Sequence, residues 1–352
     1  MDLSNVRIRE HFGLVSNNTQ TGQFCFLISP PKNRASIEKH DYILVDHPLL
    51  GEVCPILAVI TEITSCEEVA GSSIGDKMGK MLATAKIIGY LDLRNENKPI
   101  CELLIPPNSG SRVYVPLKKF LEDILNRNAK GEVHRTGINI GFFEASSAEE
   151  QGSNGRVNCI LDAQDFISKH TVITSVAGAG KTYTAKLLIK EISDKTSEQI
   201  ILLDSHNEYS SDSKNSVKTA EVNMKMDKDS FAKELKKNKI TLLNAHGLTL
   251  EEKRSFYIDY LKLLLKLRLE GKIDPLLIVI EEADTFKGEI LDQVVAEGRK
   301  IGISACLLTT HPTELGGKIL SQIGNQIIGK TTDKEDIQYL ANMAGISNAL
   351  SG

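Results

Sequence analysis

The rhythm of apolar positions changes near residue 157. Before it, apolar residues fall in short β-branched or alternating runs: Phe24–Ser29, Tyr42–Val45, Val53–Ile63 and Met81–Leu93. Pro30-Pro31, Pro48, Gly51 and the span from Gly71 to Gly75 punctuate them. Short alternating runs bounded by turn residues read as strands. Several of them within residues 1–98 predict a small β-barrel. Residues 99–157 read as a connector, with a loop at Pro106-Pro107-Asn108-Ser109-Gly110, a helical period over Leu117–Asn126, and a polar, small-residue stretch at Ala145–Arg156.

From residue 158 to 352 apolar strands alternate with helical patterns. The strands fall at Thr171–Thr174, Gln199–Leu203, Ile240–Leu243, Leu276–Ile280, Ser304–Thr309 and Gln326–Ile328. That alternation predicts an α/β domain, a mostly parallel sheet covered by helices. The helix over Leu250–Glu270 opens on a capping box, Thr249 with Glu252, and stops at Gly271. Its one polar stripe is Ser255, Asp259, Lys262, Lys266 and Glu270, so most of its circumference is expected to be buried.

Composition narrows the class. The chain has 352 residues, 41% hydrophobic and 25% charged, enough for two domains with real cores. A net charge of −4 argues against a generally basic nucleic-acid coat, while leaving room for a local basic channel. Lys225, Lys228, Lys236, Lys237 and Lys239 make a basic stretch, but interspersed acids mark it as a solvated helix face. Six cysteines (25, 54, 66, 101, 159 and 306) show no Cys-x-x-Cys spacing and read as reduced thiols. The longest apolar candidate for a membrane span, Tyr260–Leu269, is broken by Lys262, Lys266 and Arg268, and no signal peptide is seen. A soluble, cytoplasmic protein is expected. His11, His40 and His47 lack metal spacing and read as surface or loop histidines.

The chemistry concentrates in the second half. The run Ser175, Val176, Ala177, Gly178, Ala179, Gly180, Lys181, Thr182 and Tyr183 follows a strand and opens a helix. Small residues let backbone N–H groups converge on phosphate oxygens, and a helix N-terminus adds positive potential. In this pattern Lys181 reaches the β/γ-phosphates and the Thr182 hydroxyl binds Mg²⁺. The pattern departs from the usual one at Ser175, where glycine is common. A glycine-rich surface turn is the bland alternative, and the flanking strand and helix weigh against it.

About a hundred residues on, Leu276–Ile280 ends in Glu281 and Glu282. Ligands of open α/β sheets bind at the carboxyl ends of strands, so these acids belong on the rim of the phosphate loop. Neighbouring strand residues point to opposite faces. Two roles follow: Glu281 in the Mg²⁺ shell through water, Glu282 as the group that orients or deprotonates an attacking water. His311, after the next strand, is a candidate γ-phosphate sensor. Arg299, in Glu297-Gly298-Arg299-Lys300, is either a trans-acting arginine finger or a surface arginine at a helix end. Asp204, His206 and Glu208 follow another strand and have plausible metal spacing; a positioning role near the nucleotide or a subunit interface is preferred.

Taken together these pieces resemble the HerA family of the HerA–FtsK translocases. The resemblance rests on His170 before the loop strand, Gly178-Ala-Gly-Lys-Thr182, Asp204-Ser-His-Asn-Glu-Tyr209, Ile280-Glu-Glu-Ala283, Glu297-Gly-Arg-Lys300, Thr310-His-Pro312, Leu320-Ser-Gln322 and Asp333–Tyr339. Ile87-Ile-Gly-Tyr90 is similar to the family's N-terminal barrel, so the resemblance covers essentially the whole chain. It implies a RecA-like P-loop ATPase core behind a barrel. It also implies a homohexameric ring that uses ATP and Mg²⁺ to move double-stranded DNA, beside a NurA-type nuclease or another effector in end processing or anti-phage defence. On it Arg299 becomes the finger. The family usually has Gln where this chain has His311, and continues beyond the point matching Ser351-Gly352, so either a truncated chain or a trimmed member of the family is expected.

Overall fold

The computed structural model describes residues 5–7, 11–20, 22–28, 37–65, 81–95, 97, 99–128, 131–144, 156–209, 220–222, 228–286 and 288–343. Pro30-Pro31, Cys66, the Gly71–Gly75 span, residues 145–155 of the polar stretch, Lys225 and Ser351-Gly352 lie outside them. Two compact units emerge: residues 1–135 with 141–161, and residues 136–140 with 162–352.

The first unit contains an antiparallel barrel. Its strands are β1 (Gly13–Thr19), β2 (Gln23–Ile28), β3 (Tyr42–His47), β4 (Gly51–Ser65), β5 (Met81–Leu91), β6 (Ile100–Cys101) and β7 (Arg112–Tyr114). They run in the order β2-β1-β7-β3-β4-β5-β6, and an added β2–β5 pairing closes the first six. Alternation fills the interior: Phe24, Phe26 and Ile28 of β2 point in. Ala85 and Ala83 stand opposite the two phenylalanines, so large faces small across a tight barrel. Three of these strands lacked a clear signal, among them the two-residue β6, which lies in the stretch read as connector. β1 is the polar run Gly-Leu-Val-Ser-Asn-Asn-Thr. β7 lies within the stretch read as connector, yet it pairs with both β1 and β3. The helix α1 (Lys118–Leu125) buries Phe120, Leu121 and Ile124 against Leu44, Leu57, Leu91 and Tyr114.

Strands β8 (Gly137–Glu144) and β9 (Arg156–Asp162) form a two-stranded sheet. The remaining elements are helix α2 (Ala163–Ser168), β10 (His170–Thr174), α3 (Lys181–Lys195), β11 (Gln199–Asp204), β12 (Ala220–Val222), α4 (Lys228–Lys237) and β13 (Ile240–Asn244). They continue with α5 (Leu250–Leu269), β14 (Leu276–Ile280), α6 (Glu289–Glu297), β15 (Ile303–Thr309), α7 (Gly317–Leu320), β16 (Ile323–Ile328) and α8 (Lys334–Met343). The sheet order is β12-β13-β11-β14-β15-β10-β16, with every pairing parallel. β10, β14 and β15 are buried along their whole length, as continuous apolar runs require of a sheet covered on both faces. This is the expected α/β P-loop ATPase fold, and in the chain it follows a barrel.

Helix α5 has the predicted capping box: Glu252 N–H donates to Thr249 Oγ1 at 3.3 Å, and Thr249 N–H donates to Glu252 Oε2 at 2.8 Å. It buries Phe256, Tyr257, Tyr260, Leu261, Leu264, Leu265 and Leu267, in one core with Ile278 and Ile280 of β14. That packing holds the end of β14, and the acids after it, in place. Among the described residues, no helix is long and apolar enough to cross a membrane, and five of the six cysteines are described, all as free thiols.

Candidate functional site

The loop after β10 turns on two glycines. Gly178 has φ +76° and Gly180 has φ +95°, a region that costs residues with a Cβ about 1–2 kcal/mol. Gly180 is also the N-cap of α3. Ser175 is not among the positive-φ residues, so its position does not demand glycine here. It is buried, and it lies against Gly329, where a Cβ would come within 2.7 Å of the Ser175 Cβ. The loop is anchored to the end of β16 by Gly329 N–H to Thr174 O (2.7 Å) and Val176 N–H to Lys330 O (2.8 Å).

Helix α3 buries Ala185, Leu188, Ile189 and Ile192, one apolar stripe, and so presents its first turn to the cavity. The Lys181 ammonium donates to Thr310 Oγ1 at 2.8 Å. Burial pulls its pKa down, and Asp284, Glu281, Glu282 and Glu208 oppose that pull. Thr182 Oγ1 donates to Glu281 Oε1 at 3.4 Å. Glu281 is 5% exposed. Burial, then the charges of Glu208 and Asp204, push its carboxyl up to about 7.

β14 ends at Ile280, so Glu281 and Glu282 do not continue its alternation to opposite faces. Glu282 has left the strand at φ +48°, and both acids line the same cavity. The Glu282 carbonyl accepts from Thr285 N–H (2.8 Å) and Oγ1 (2.7 Å), which holds that turn. Its carboxylate is half-exposed and stands 2.9 Å from His206 Nε2. A non-glycine residue in this conformation costs on the order of 1–3 kcal/mol and persists only where its surroundings enforce it.

Asp204, His206 and Glu208 divide their work. Asp204 is fully buried, and its carboxylate accepts the backbone N–H groups of His206 (3.2 Å), Glu208 (3.0 Å) and Tyr209 (3.0 Å). It shapes the loop that presents His206 and Glu208 to the cavity. Among the described residues, no group of three or more His, Cys, Asp or Glu side chains is placed to hold a metal ion.

The cavity has a volume of about 460 Å³. Val176, Ala177, Gly178, Gly180, Lys181, Thr182, Tyr183, His206, Glu208, Glu281, Glu282, Leu308 and Thr310 line it. His311 is not part of that lining. Its Nδ1 sits 3.1 Å from Asp336 Oδ2, and buried Asp336 also accepts from Thr313 N–H and Oγ1. The side chain at the cavity from this strand end is Thr310. Sequence reasoning passed over Thr310 and also Asp284, which accepts from Thr309 Oγ1 at 2.7 Å. A hydroxyl directly after an apolar strand was the available signal. Arg299 is exposed, and its Nε donates to Ser168 O at 3.2 Å, so it does not reach the cavity of its own chain. His170, at the start of β10, is fully buried. Its Nδ1 accepts the Ala305 N–H (3.0 Å), which leaves Nε2–H to donate to Val295 O (2.9 Å). Burial pulls its pKa to about 4, so the ring is neutral. Lys236 and Lys237 are exposed on α4, with Lys237 at 3.9 Å from Glu234.

A parallel sheet, a glycine loop between strand and helix, and acids after a neighbouring strand define a P-loop NTPase fold. Comparison with known proteins shows what this segment resembles. The profile of the Helicase HerA central domain matches residues 138–286. An uncharacterized protein of Aquifex aeolicus is 30% identical over 134 residues, 38% of this chain and 45% of that one. The DNA double-strand break repair helicase HerA of Sulfolobus acidocaldarius is 30% identical over 121 residues, 30% of this chain and 24% of that one. Over this segment the chain is similar to the HerA family, and it spans from a quarter to under half of these relatives' length. Among solved structures, the genome packaging NTPase B204 of Sulfolobus turreted icosahedral virus 2 superposes with a TM-score of 0.40 and 13% identity, over 53% of this chain and 87% of that one. That superposition is too loose for comparing sites.

Proposed function

We propose that this chain binds ATP with Mg²⁺ and hydrolyses it to drive movement along double-stranded DNA, as a homohexameric ring that works with a NurA-type nuclease or another effector. One observation carries the catalytic part: Lys181, Thr182, Glu281 and Glu282 converge on one cavity from two separate strand ends. The residues fit a hard divalent cation, because Thr182 Oγ1 and Glu281 supply oxygen donors 3.4 Å apart at the loop's exit. A Mg²⁺ held by these residues would supply positive charge against the phosphates. Lys181 holds the phosphates, and Thr310 contacts Lys181 from the neighbouring strand end. Glu282, the more exposed acid, faces the attacking water. Arg299 acts on a neighbouring subunit's nucleotide, since its own cavity lies out of its reach. His311 supports this strand end through Asp336.

A second reading is a nucleotide-gated scaffold ring with slow turnover. The His206–Glu282 pair favours it, because that contact engages the water-activating carboxylate. The names of the archaeal relatives, which include repair helicases, support the first. ATPase activity with and without duplex DNA, on a sample of known oligomeric size, separates them. A translocase shows stimulation by duplex DNA that weakens with salt, and Lys181→Ala abolishes it. A basal rate unmoved by DNA in an assembled ring sinks the translocase reading.

A further inference from the structure

Among the described residues the Tyr183 side chain makes no hydrogen bond and packs on no other ring. It is 72% exposed, on the first turn of α3, and it lines the cavity. The first intrahelical bond of α3 runs from Thr184 N–H to Gly180 O. The N–H groups of Lys181, Thr182 and Tyr183 therefore have no partner four residues back and are available to phosphate oxygens. Lys181 turns towards Thr310 and Thr182 towards Glu281, which places the terminal phosphates on that side. Tyr183 carries the last free N–H of the row. A phosphate chain that starts at Lys181 and follows the turn reaches its nucleoside end beside that ring.

The rest of the lining offers little to a base. Among the described residues it contains no Asn, Gln or Arg, and its other ring, His206, is paired with Glu282. Glu208, Glu281 and Glu282 crowd the side where the metal belongs. Among the described residues of the lining, Tyr183 is the one aromatic carbon ring.

We propose that Tyr183 is the nucleobase platform of this cavity: its ring stacks on the base of a bound nucleoside triphosphate. The assignment rests on the cavity being a triphosphate site. Stacking reads the π-face of a base rather than its edge, so GTP is expected to depend on Tyr183 as ATP does.

The test compares binding of Mg²⁺-ATP, Mg²⁺-GTP and Mg²⁺-tripolyphosphate to the full chain. Base–aromatic stacking corresponds to roughly 5- to 100-fold in affinity. Tyr183→Ala should lose about that much for both nucleotides and nothing for tripolyphosphate, and Tyr183→Phe should restore it. The chain has no tryptophan, so Tyr183→Trp supplies a unique reporter, expected to be quenched by ATP and not by tripolyphosphate. Equal losses for ATP and tripolyphosphate would show a structural or subunit-contact role and overturn the platform. So would no loss for either, when the native chain binds both. If the native chain binds none of the three and Lys181→Ala changes nothing, the triphosphate reading itself falls, and the platform with it.

Discussion

Glu281 allows a quantitative test of the site. In the fold its carboxyl is buried and pushed from 4.5 up to about 7. In the unfolded chain it ionises near the ordinary value. Between those two pH values the folded protein holds a proton that the unfolded chain has released. Rising pH therefore favours the unfolded state through that window, and the loss is complete above about pH 7. Its size is about 3 kcal/mol. Glu281→Gln keeps the shape and cannot ionise. In the absence of metal and nucleotide, the variant should match the native protein closely at pH 4.5 and exceed it by about 3 kcal/mol at pH 8. For a unit of roughly 200 residues this is about 6–12 °C in melting temperature. Scanning calorimetry in EDTA measures it, following the transition that Mg²⁺-ATP raises in the native protein. The same variant should gain much less from Mg²⁺-ATP, because the metal's carboxylate is gone. A Glu281→Gln protein equal to or less stable than the native at pH 8 would refute the reasoning. It would show that Lys181 and its neighbours already compensate the ionised acid in the empty site.

Glu282→Gln should retain Mg²⁺-ATP binding and lose hydrolysis by about a hundredfold or more; turnover at the native rate rules out Glu282 as the water-activating group. Arg299→Ala and Lys181→Ala subunits, each inactive alone, should regain ATPase activity when mixed, and mixtures that co-assemble without recovery argue against a trans-acting Arg299. His170 runs opposite to Glu281: its pKa is depressed from 6.5 to about 4, so the unfolded chain takes the proton first as pH falls. Stability should drop by up to about 3 kcal/mol between pH 6.5 and 4. His170→Gln should flatten that acid limb of melting temperature against pH, and an unchanged slope contradicts the neutral buried ring.

Much of the fold was legible as periodicity. The strands of the parallel sheet were continuous apolar runs because both faces are covered, and α5 announced its start through Thr249 and Glu252. The barrel's inward positions alternated visibly in β2 and β5. β1 was not legible, because Asn17 and Asn18 weaken the strand signal. Nor was β7, because three residues carry no period and their place is set by pairing with β1 and β3.

The site divides along the same line. By itself, the sequence determined that a glycine loop with Lys181 and Thr182 opens a helix, and that Glu281 and Glu282 close a buried strand. Those features are local, since residue type and spacing suffice to specify them. Only the tertiary structure decided which side chains meet. Thr310 rather than His311 faces Lys181, and His206 crosses to Glu282. Both acids enter one cavity because Glu282 leaves the strand at a left-handed turn. Ser175 fits because Gly329, more than 150 residues away in sequence, carries no Cβ. These contacts join strand ends that are neighbours in the sheet and distant in the chain, and strand order is not written in local pattern.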